Sequence, residues 1–483
     1  MQKSLFKNII YKVLLNLFNL ILPILVGPYV YRTLGAPSIG KVQFSESIFN
    51  YFFIFAVFGV YQYGMREMSL IKHDIQKVNK LFTSLFTITL ITSVGTLLIY
   101  LLFTYVGYQD NLIFPILLIY GINFISSIFY VEWVNEAFEN YDFIALKTII
   151  IRIFYVIFLF FLIKGSDDYN QYVWLLVLST FFNNIISFIY VRRHVQFDFK
   201  NISILRHIKP LFLVVIFSNA NILYTQLDRY MLGQYVGTKS VSYYAMAQQI
   251  MSIIHMLMLS IIQVTIPRLS HLSGSDNNAS YINLLNTISK IYVCFLFPAS
   301  IGLFIISDVG VYIYGGSEFE KSGHVLAIFA IYMISLGFES ILANQILYVK
   351  KRETILVRLI FICGVINLIL NILLIRLNIL SPFTAILTTA FANFLLFFSE
   401  HFYIRKYLKI KFHLFELSKI KYGFYSLLFI PVSYFVRLFI SQPIPLFLSL
   451  VSINIIVYIL ILFITKDEII YLFLNKITTR FKK

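Results

Sequence analysis

Residues 19–40 read NLILPILVGPYVYRTLGAPSIG, and they decide the fold. An apolar span broken by Pro23, Gly27 and Pro28 ends at Arg32-Thr33-Leu34-Gly35. A short turn follows, and a second apolar span runs to Tyr63-Gly64-Met65-Arg66-Glu67. Two long apolar segments joined by so short a turn predict a hairpin of membrane helices, since a spanning helix needs about 20 apolar residues. The pattern returns later in the chain. Met231-Leu232-Gly233 echoes Thr33-Leu34-Gly35, and after a small insertion the echo runs without a gap from Val241 to Arg268. Ile39 falls on Val241, Glu46 on Gln248, Ile48 on Ile250 and Arg66 on Arg268. The sequence therefore reads as an internal duplication.

Composition agrees with a polytopic membrane protein. The chain is 59% hydrophobic and only 13% charged, with mean hydropathy +0.82, whereas soluble proteins carry about a quarter charged residues. The net charge of +17 does not point to nucleic acid, because the basic residues lie in short loops between apolar spans. About 14 spans of sufficient length can be counted. They are 9–33, 41–64, 81–106, 111–138, 143–163, 171–191, 211–235, 241–266, 288–313, 324–348, 354–376, 382–404, 422–440 and 445–464. The first is too long for a signal-peptide core and is read as retained. The expected fold is all-α: two six-helix bundles, 1–210 and 211–410, related as parallel repeats. Residues 411–483 add two helices and a basic tail.

Charge orients the chain. With the amino terminus in the cytoplasm, the cytoplasmic connections carry Arg66, Lys72, Lys77, Lys80, Lys147, Arg192, Arg193, Lys200, Arg206, Lys209, Arg268, Lys290, Lys350, Lys351, Arg352, Arg405, Lys406, Lys409, Lys411, Lys419 and Lys421. The termini add Lys3, Lys7, Lys466, Lys476, Arg480, Lys482 and Lys483. The opposite side has only the scattered Arg32, Lys41, Lys164, Lys239, Lys321, Arg376 and Arg437. Positively charged loops stay inside, so both termini are expected in the cytoplasm. Parallel halves commonly enclose a substrate site.

Charges inside the spans are the functional candidates, because each costs about 2.5–3.5 kcal/mol on insertion scales. They are Glu46, Glu132, Glu136, Arg152, Asp228, Arg229, Glu339 and Glu400. Arg152 lies about nine residues, or roughly 13 Å, into its span, near mid-depth; a salt bridge to an acidic neighbour is its structural alternative. Asp228 and Arg229 are adjacent and point about 100° apart on a helix, one toward an interior and one toward its rim. Glu132, Glu136 and Glu139 share one helix stripe in the same reading. Lys12, Lys147 and Arg358 are expected to snorkel to the interface. Pro23 and Pro28 are expected to kink the first span.

Other chemistry finds no support. Cys294 and Cys363 sit inside spans, and the histidines do not cluster, so no metal site, disulfide framework or cofactor is expected. There is no glycine-rich phosphate loop for nucleotide hydrolysis. A sugar polymerase or ligase would need catalytic groups on a sizeable outer loop, and the outer connections are short. A cation antiporter would favour acids over the interior arginines found here.

Tyr29-Val30-Tyr31-Arg32-Thr33-Leu34-Gly35, Ile39-Gly40, Phe44-Ser45 and Tyr63-Gly64-Met65-Arg66-Glu67 resemble the amino-terminal signature of polysaccharide repeat-unit flippases of the Wzx type. Asp228-Arg229-Tyr230-Met231-Leu232-Gly233 and Pro267-Arg268-Leu269 resemble its second-half counterparts. The family often has a Trp-Phe-Phe-Gln-Gly-like run in the fourth span; here it reads Trp133-Val134-Asn135-Glu136-Ala137, and no substrate contact is carried over there. The resemblance implies an undecaprenyl-diphosphate-linked oligosaccharide, moved from the inner to the outer leaflet of a bacterial cytoplasmic membrane by alternating access. It implies membrane lipids, a polysaccharide polymerase and other assembly proteins as partners. A teichoic-acid or peptidoglycan-precursor flippase is the alternative. A diphosphate needs cations, and the candidates are Arg32, Arg66, Arg152, Arg229 and Arg268. Glu46, Asp228 and Glu339 are the candidates for ion coupling.

The topology can be tested directly. Cysteines placed at Gln109, Asp167 and Ser317 should label from outside intact cells, and those at His73, Ser203 and Asn277 should not. Outside labelling at Ser203 would reverse the orientation.

Overall fold

The structure, a computed structural model, describes residues 5–274, 278–410 and 412–470. Lys3, Asn277, Lys411, Lys476, Arg480, Lys482 and Lys483 lie outside the described residues. Among the described residues every regular element is helical. Twelve helices are long and apolar enough to cross a membrane. The first, Ile10–Ile71, contains the first two expected spans. The seventh expected span, 211–235, is not among the twelve; its residues form α8 and α9 below. The chain divides into two compact units, Met1–Ser242 and Tyr243–Lys483.

The first unit opens with α1, Leu5–Val57, a run of 53 residues. A straight helix of that length would reach about 80 Å, far beyond the roughly 30 Å hydrocarbon core. Gly35 resolves this. Its φ of 71° and ψ of 170° break the helix into two segments, a conformation open to glycine because it has no Cβ. Pro37 lies in the first turn after the break, where its missing N–H costs nothing. Helical dihedrals persist through Pro23 and Pro28, so the break falls at the glycine and not at the prolines. Gly237, with φ of 124°, makes the corresponding break before α10 (Thr238–Gly274). Gly237 follows Gly35 by the same interval that separates Val241 from Ile39. The conformational counterpart of Gly35 is therefore Gly237 rather than Gly233, and the echo needs no insertion there.

The unit continues through α2 (Val60–Ile71), α3 (Ile75–Tyr108), α4 (Phe114–Ile128), α5 (Glu132–Ala137), α6 (Tyr141–Leu162), α7 (Tyr169–Arg192), α8 (Ile204–Thr225) and α9 (Leu227–Tyr235). The fourth expected span is thus interrupted after Ile128, and Glu139 lies past α5 with a left-handed backbone, φ 57°. The three glutamates do not share one stripe. α1, α3, α4, α6 and α7 form the packed core. Lipid offers no hydrophobic drive for helices to associate, so small residues and hydroxyls join them. Thr92 of α3 donates to the Ala56 carbonyl at 2.7 Å, and Ser93 meets Ser127 of α4 at 2.9 Å. Asn184 of α7 donates to Ser126 at 3.0 Å. The outer face of α3 shows Ile91, Leu98, Ile99, Leu102 and Val106, as lipid contact requires.

Close approach depends on glycine at several places. A Cβ on Gly233 of α9 would overlap the Phe44 ring of α1, and one on Gly40 would overlap the Thr238 carbonyl. A Cβ on Gly64 would stand 2.7 Å from the buried Trp133 ring. Tyr63 beside it meets His207 Nδ1 at 2.8 Å, and Tyr29 donates to the Ile163 carbonyl at 2.6 Å.

In the second unit, α10 leads to α11 (Asn278–Ile305), α12 (Ser307–Gly315), α13 (Ser322–Ile341), α14 (Glu353–Arg376) and α15 (Pro382–Tyr403). The last helices are α16 (Leu417–Leu427), α17 (Phe429–Phe439) and α18 (Pro443–Ile464). α13 is central and packs on α11, α12 and α15. Ser335 joins it to Asn393 of α15 at 2.7 Å, and Asn367 of α14 donates to Thr389 of α15 at 3.2 Å. α13 and α15 each end in a π-helical segment, Leu342–Tyr348 and Ile404–Leu408. The last three helices are tied at both ends: Arg437 donates to both Asp308 oxygens at 2.7 and 2.8 Å, and Lys421 and Tyr422 donate to Asp467. Past the last span, hydrogen bonding from Lys290 holds the Glu468 carboxyl below the usual carboxylate range.

Gly64→Ala and Gly233→Ala should each cost about 1–3 kcal/mol through overpacking. A Cβ at Gly95 would meet nothing within 4 Å, so Gly95→Ala should be neutral or slightly stabilising. Thermal unfolding in detergent reads all three, and equal losses would refute the packing account.

Candidate functional site

Polar side chains from five helices meet inside the first unit. On α9, Arg229 donates to Gln43 of α1 at 2.9 Å and stands 3.7 Å from the Glu46 carboxylate. Its side chain is 14% exposed and that of Glu46 37%. Asp228 is buried and lies within electrostatic reach of Tyr51, a later turn of α1. The two adjacent residues therefore both turn toward α1, and the 100° between them sends each to a different turn.

Tyr120 of α4 connects this pair to α6. It is buried, its hydroxyl has no hydrogen-bond partner among the described residues, and it lies within reach of Glu46, Arg229 and Tyr155. Tyr155 of α6 neighbours Arg152 one turn earlier and Tyr172 of α7. Tyr172 in turn reaches Tyr31 of α1. Arg152 is half-buried near the middle of α6 and has no ion pair among the described residues. The result is a chain of neighbours that links two arginines, five tyrosines and the carboxyls of Glu46 and Asp228. Guanidinium groups offer planar forks of donors that match phosphate oxygens, and phenols combine a stacking face with a hydroxyl.

The other candidates lie elsewhere. Arg32 is exposed at the end of the first span, with Tyr31 beside it turned inward. Arg66 is exposed on α2 and pairs with its neighbour Glu67 at 3.0 Å. Arg268 is exposed on α10, and Glu339 lies on α13; both belong to the second unit. Charge in the sequence does not single out the tyrosines. The signal that could have found them is tyrosine inside otherwise aliphatic spans, in a chain with 34 of them.

The acidic partner that Arg152 could have had is taken. Lys147 of α6 donates to both Glu132 oxygens, at 3.1 and 2.9 Å, and to Ser187 of α7; Ser187 also donates to Glu132. Lys147 is buried and does not snorkel, unlike Lys12 and Arg358, which are exposed. Glu139 pairs with Lys72 at 2.9 Å. These contacts are structural: they neutralise charge and tie α5, α6 and α7 together.

Residues 5–273 match the family model described as polysaccharide biosynthesis protein. The chain belongs to that family. A second family model, MatE, matches residues 210–373. A putative O-antigen transporter of Shigella dysenteriae is 24% identical over 371 residues, 75% of this chain and 91% of that protein. A putative O-antigen transporter of Escherichia coli (strain K12) is 22% identical over 165 residues, 34% of this chain and 40% of that protein. In fold, the chain is similar to the lipid II flippase MurJ in an inward closed conformation. The TM-score is 0.74 at 17% identity, over 96% of this chain and 100% of the other. The family, the fold and the twelve apolar helices among the described residues make this a multi-pass membrane protein.

Lys147→Met should cost about 3–5 kcal/mol by stranding the buried Glu132 charge. Adding Glu132→Gln should recover most of that loss. Unfolding in detergent measures it, and a double variant as unstable as the single would show that charge balance is not the reason.

Proposed function

We propose that this protein is a flippase for an undecaprenyl-diphosphate-linked oligosaccharide, moving it from the inner to the outer leaflet of the cytoplasmic membrane for cell-surface polysaccharide assembly. Family membership and two relatives named as O-antigen transporters support the substrate class. The observation that carries the reading is Arg152: a half-buried guanidinium near the middle of α6 with no ion pair among the described residues and with Tyr155 beside it, at the end of the tyrosine chain that leads to Arg229. A protein does not keep such a charge for stability, because an intramembrane cation is costly without a partner. An anionic substrate supplies that partner.

The chemistry follows from the cost of crossing. A hydroxyl moved without partners into hydrocarbon costs about 4–8 kcal/mol, which forbids spontaneous flipping of an oligosaccharide. In our reading Arg152 and Arg229 hold the diphosphate, and Tyr31, Tyr120, Tyr155 and Tyr172 offer stacking faces and hydroxyls to the sugars. Glu46 keeps Arg229 oriented between cycles, and a diphosphate outcompetes it by accepting bidentate bonds. The lipid tail stays in the bilayer. Arg32, Arg66 and Arg268 serve at the membrane surfaces, where a diphosphate enters and leaves. With both termini in the cytoplasm and the cell interior negative, outward movement of the anion gains about 2.3 kcal/mol per charge per 100 mV. We further propose that 1–210 and 211–410 descend from one duplicated six-helix unit. A polysaccharide polymerase is the partner that receives the product. Vesicle assays with sugar, teichoic-acid and peptidoglycan lipid intermediates separate this reading from its alternatives.

Arg152→Ala should abolish export while membrane abundance stays normal, since it strands no carboxylate. Arg152→Lys should restore part of the activity, keeping charge but losing the fork. Arg229→Ala should lower both abundance and export, and adding Glu46→Gln should recover abundance alone. Normal export by Arg152→Ala at normal abundance would remove this residue from the mechanism.

A further inference from the structure

Several buried polar atoms of the second unit lack a hydrogen-bond partner among the described residues, and the carboxyl of Glu400 is the acidic group among them. Glu400 of α15 is fully buried, and neither of its carboxyl oxygens has a hydrogen-bond partner among the described residues. Glu339 of α13, the helix packed against α15, is its electrostatic neighbour. No lysine or arginine pairs with either carboxyl among the described residues. Tyr292 of α11 is buried as well, its hydroxyl is unpartnered, and it lies within reach of Glu339. Cys363 of α14 is the group beside Glu400. His401 follows Glu400 in the chain, but its ring lies against Phe397 and Phe415.

Both glutamates precede a change of helix type. Glu339 stands just before the π-helical Leu342–Tyr348 and Glu400 just before the π-helical Ile404–Leu408. π-Turns are rare and concentrate at functional sites, because the wider turn gives up regular hydrogen bonds. Here the first is braced by designated partners. Tyr281 donates to the Gln345 carbonyl at 2.8 Å, and the Gln345 amide donates to Thr265 at 3.0 Å. The irregularity is therefore supported by its neighbours, and the carboxyls beside it are not.

We propose that Glu339 and Glu400 form a site that binds one exchangeable proton, shared between the two carboxyls and reached by the Tyr292 hydroxyl. Two adjacent negative charges with no cation are not tolerated in a membrane interior. A single proton converts the pair into a hydrogen-bonded acid and carboxylate, as two carboxyls sharing one proton do elsewhere. A sodium ion would want more oxygen ligands than this group supplies, and no cluster of three acidic or histidine side chains exists among the described residues. Release of the proton leaves a repelling pair, which pushes α13 and α15 apart beside their π-turns. Use of that event to drive export rests on the flippase reading; the proton site itself does not. It moves ion coupling from Glu46 and Asp228, which have work within the first unit, to a pair in the second.

Infrared difference spectroscopy of the purified full-length protein in vesicles, without substrate, tests the site. The expected result is a protonated-carboxyl band that declines as pH is raised. It should be lost in Glu400→Gln and shifted in Glu339→Gln. Absence of any Glu400-dependent band across the pH range overturns the proposal. So does a band that sodium chloride abolishes at fixed pH, which would mark a sodium site. In vesicles carrying a fluorescent lipid-linked oligosaccharide, wild-type leaflet exchange should depend on an imposed pH gradient, and Glu400→Gln exchange should not. Gradient-dependent exchange in Glu400→Gln removes the pair from coupling. A wild-type protein that shows the band but moves no lipid supports the proton site and defeats the flippase reading instead.

Discussion

Hydrocarbon offers no hydrogen bonds, so each polar side chain within the spans must find its partner on another helix or in a ligand. This constraint organises the structure. Thr92 on the Ala56 carbonyl, Asn184 on Ser126, Ser335 on Asn393 and Lys147 on Glu132 are partners found within the protein. They are the bonds that join helices where lipid provides no drive for association. Among the groups that remain are Arg152 without an ion pair, Tyr120 without a hydroxyl partner and Glu400 with two bare oxygens, all among the described residues. Satisfied groups hold the fold, and an unsatisfied ionisable group is where we propose that a ligand or a proton binds.

The division also sorts the family's motif residues. Most of the quoted signature is packing. Gly35 breaks α1, Gly40 admits the Thr238 carbonyl, Phe44 lies on Gly233 and Gly64 lies on Trp133. Tyr29 and Tyr63 are hydrogen-bonded to Ile163 and His207. These residues bring α1, α2, α5 and α9 close enough for Glu46, Arg229 and the tyrosines to share one interior. The motif thus contributes to function mainly by distance. A methyl group at Gly233 would displace Phe44, and the arginine four residues earlier would move with its helix.

The two units carry different chemistry. The first offers cations and phenols, suited to an anionic, hydroxyl-rich head group. The second offers carboxyls without cations, suited to a proton.

The sequence by itself determined the membrane class, the helical fold and the family. Long apolar spans admit only a helical solution in lipid, and basic residues in loops survive any detail of packing. It also named Glu46, Arg152, Asp228, Arg229 and Glu339, because a charge within a span is conspicuous whatever surrounds it. Tertiary structure decided which of these charges have partners. Lys147 looked like an interfacial residue and is a buried partner of Glu132, since the interruption after Ile128 turns Glu132 toward α6. The tyrosines linked to Arg152 through Tyr155 come from four helices, and nothing in their local sequence sets them apart. Glu339 and Glu400 are 61 positions apart in the chain, and only the packing of α13 on α15 makes them neighbours. Partnership in a membrane is a property of helix pairs, and linear spacing reports only on a helix's own faces.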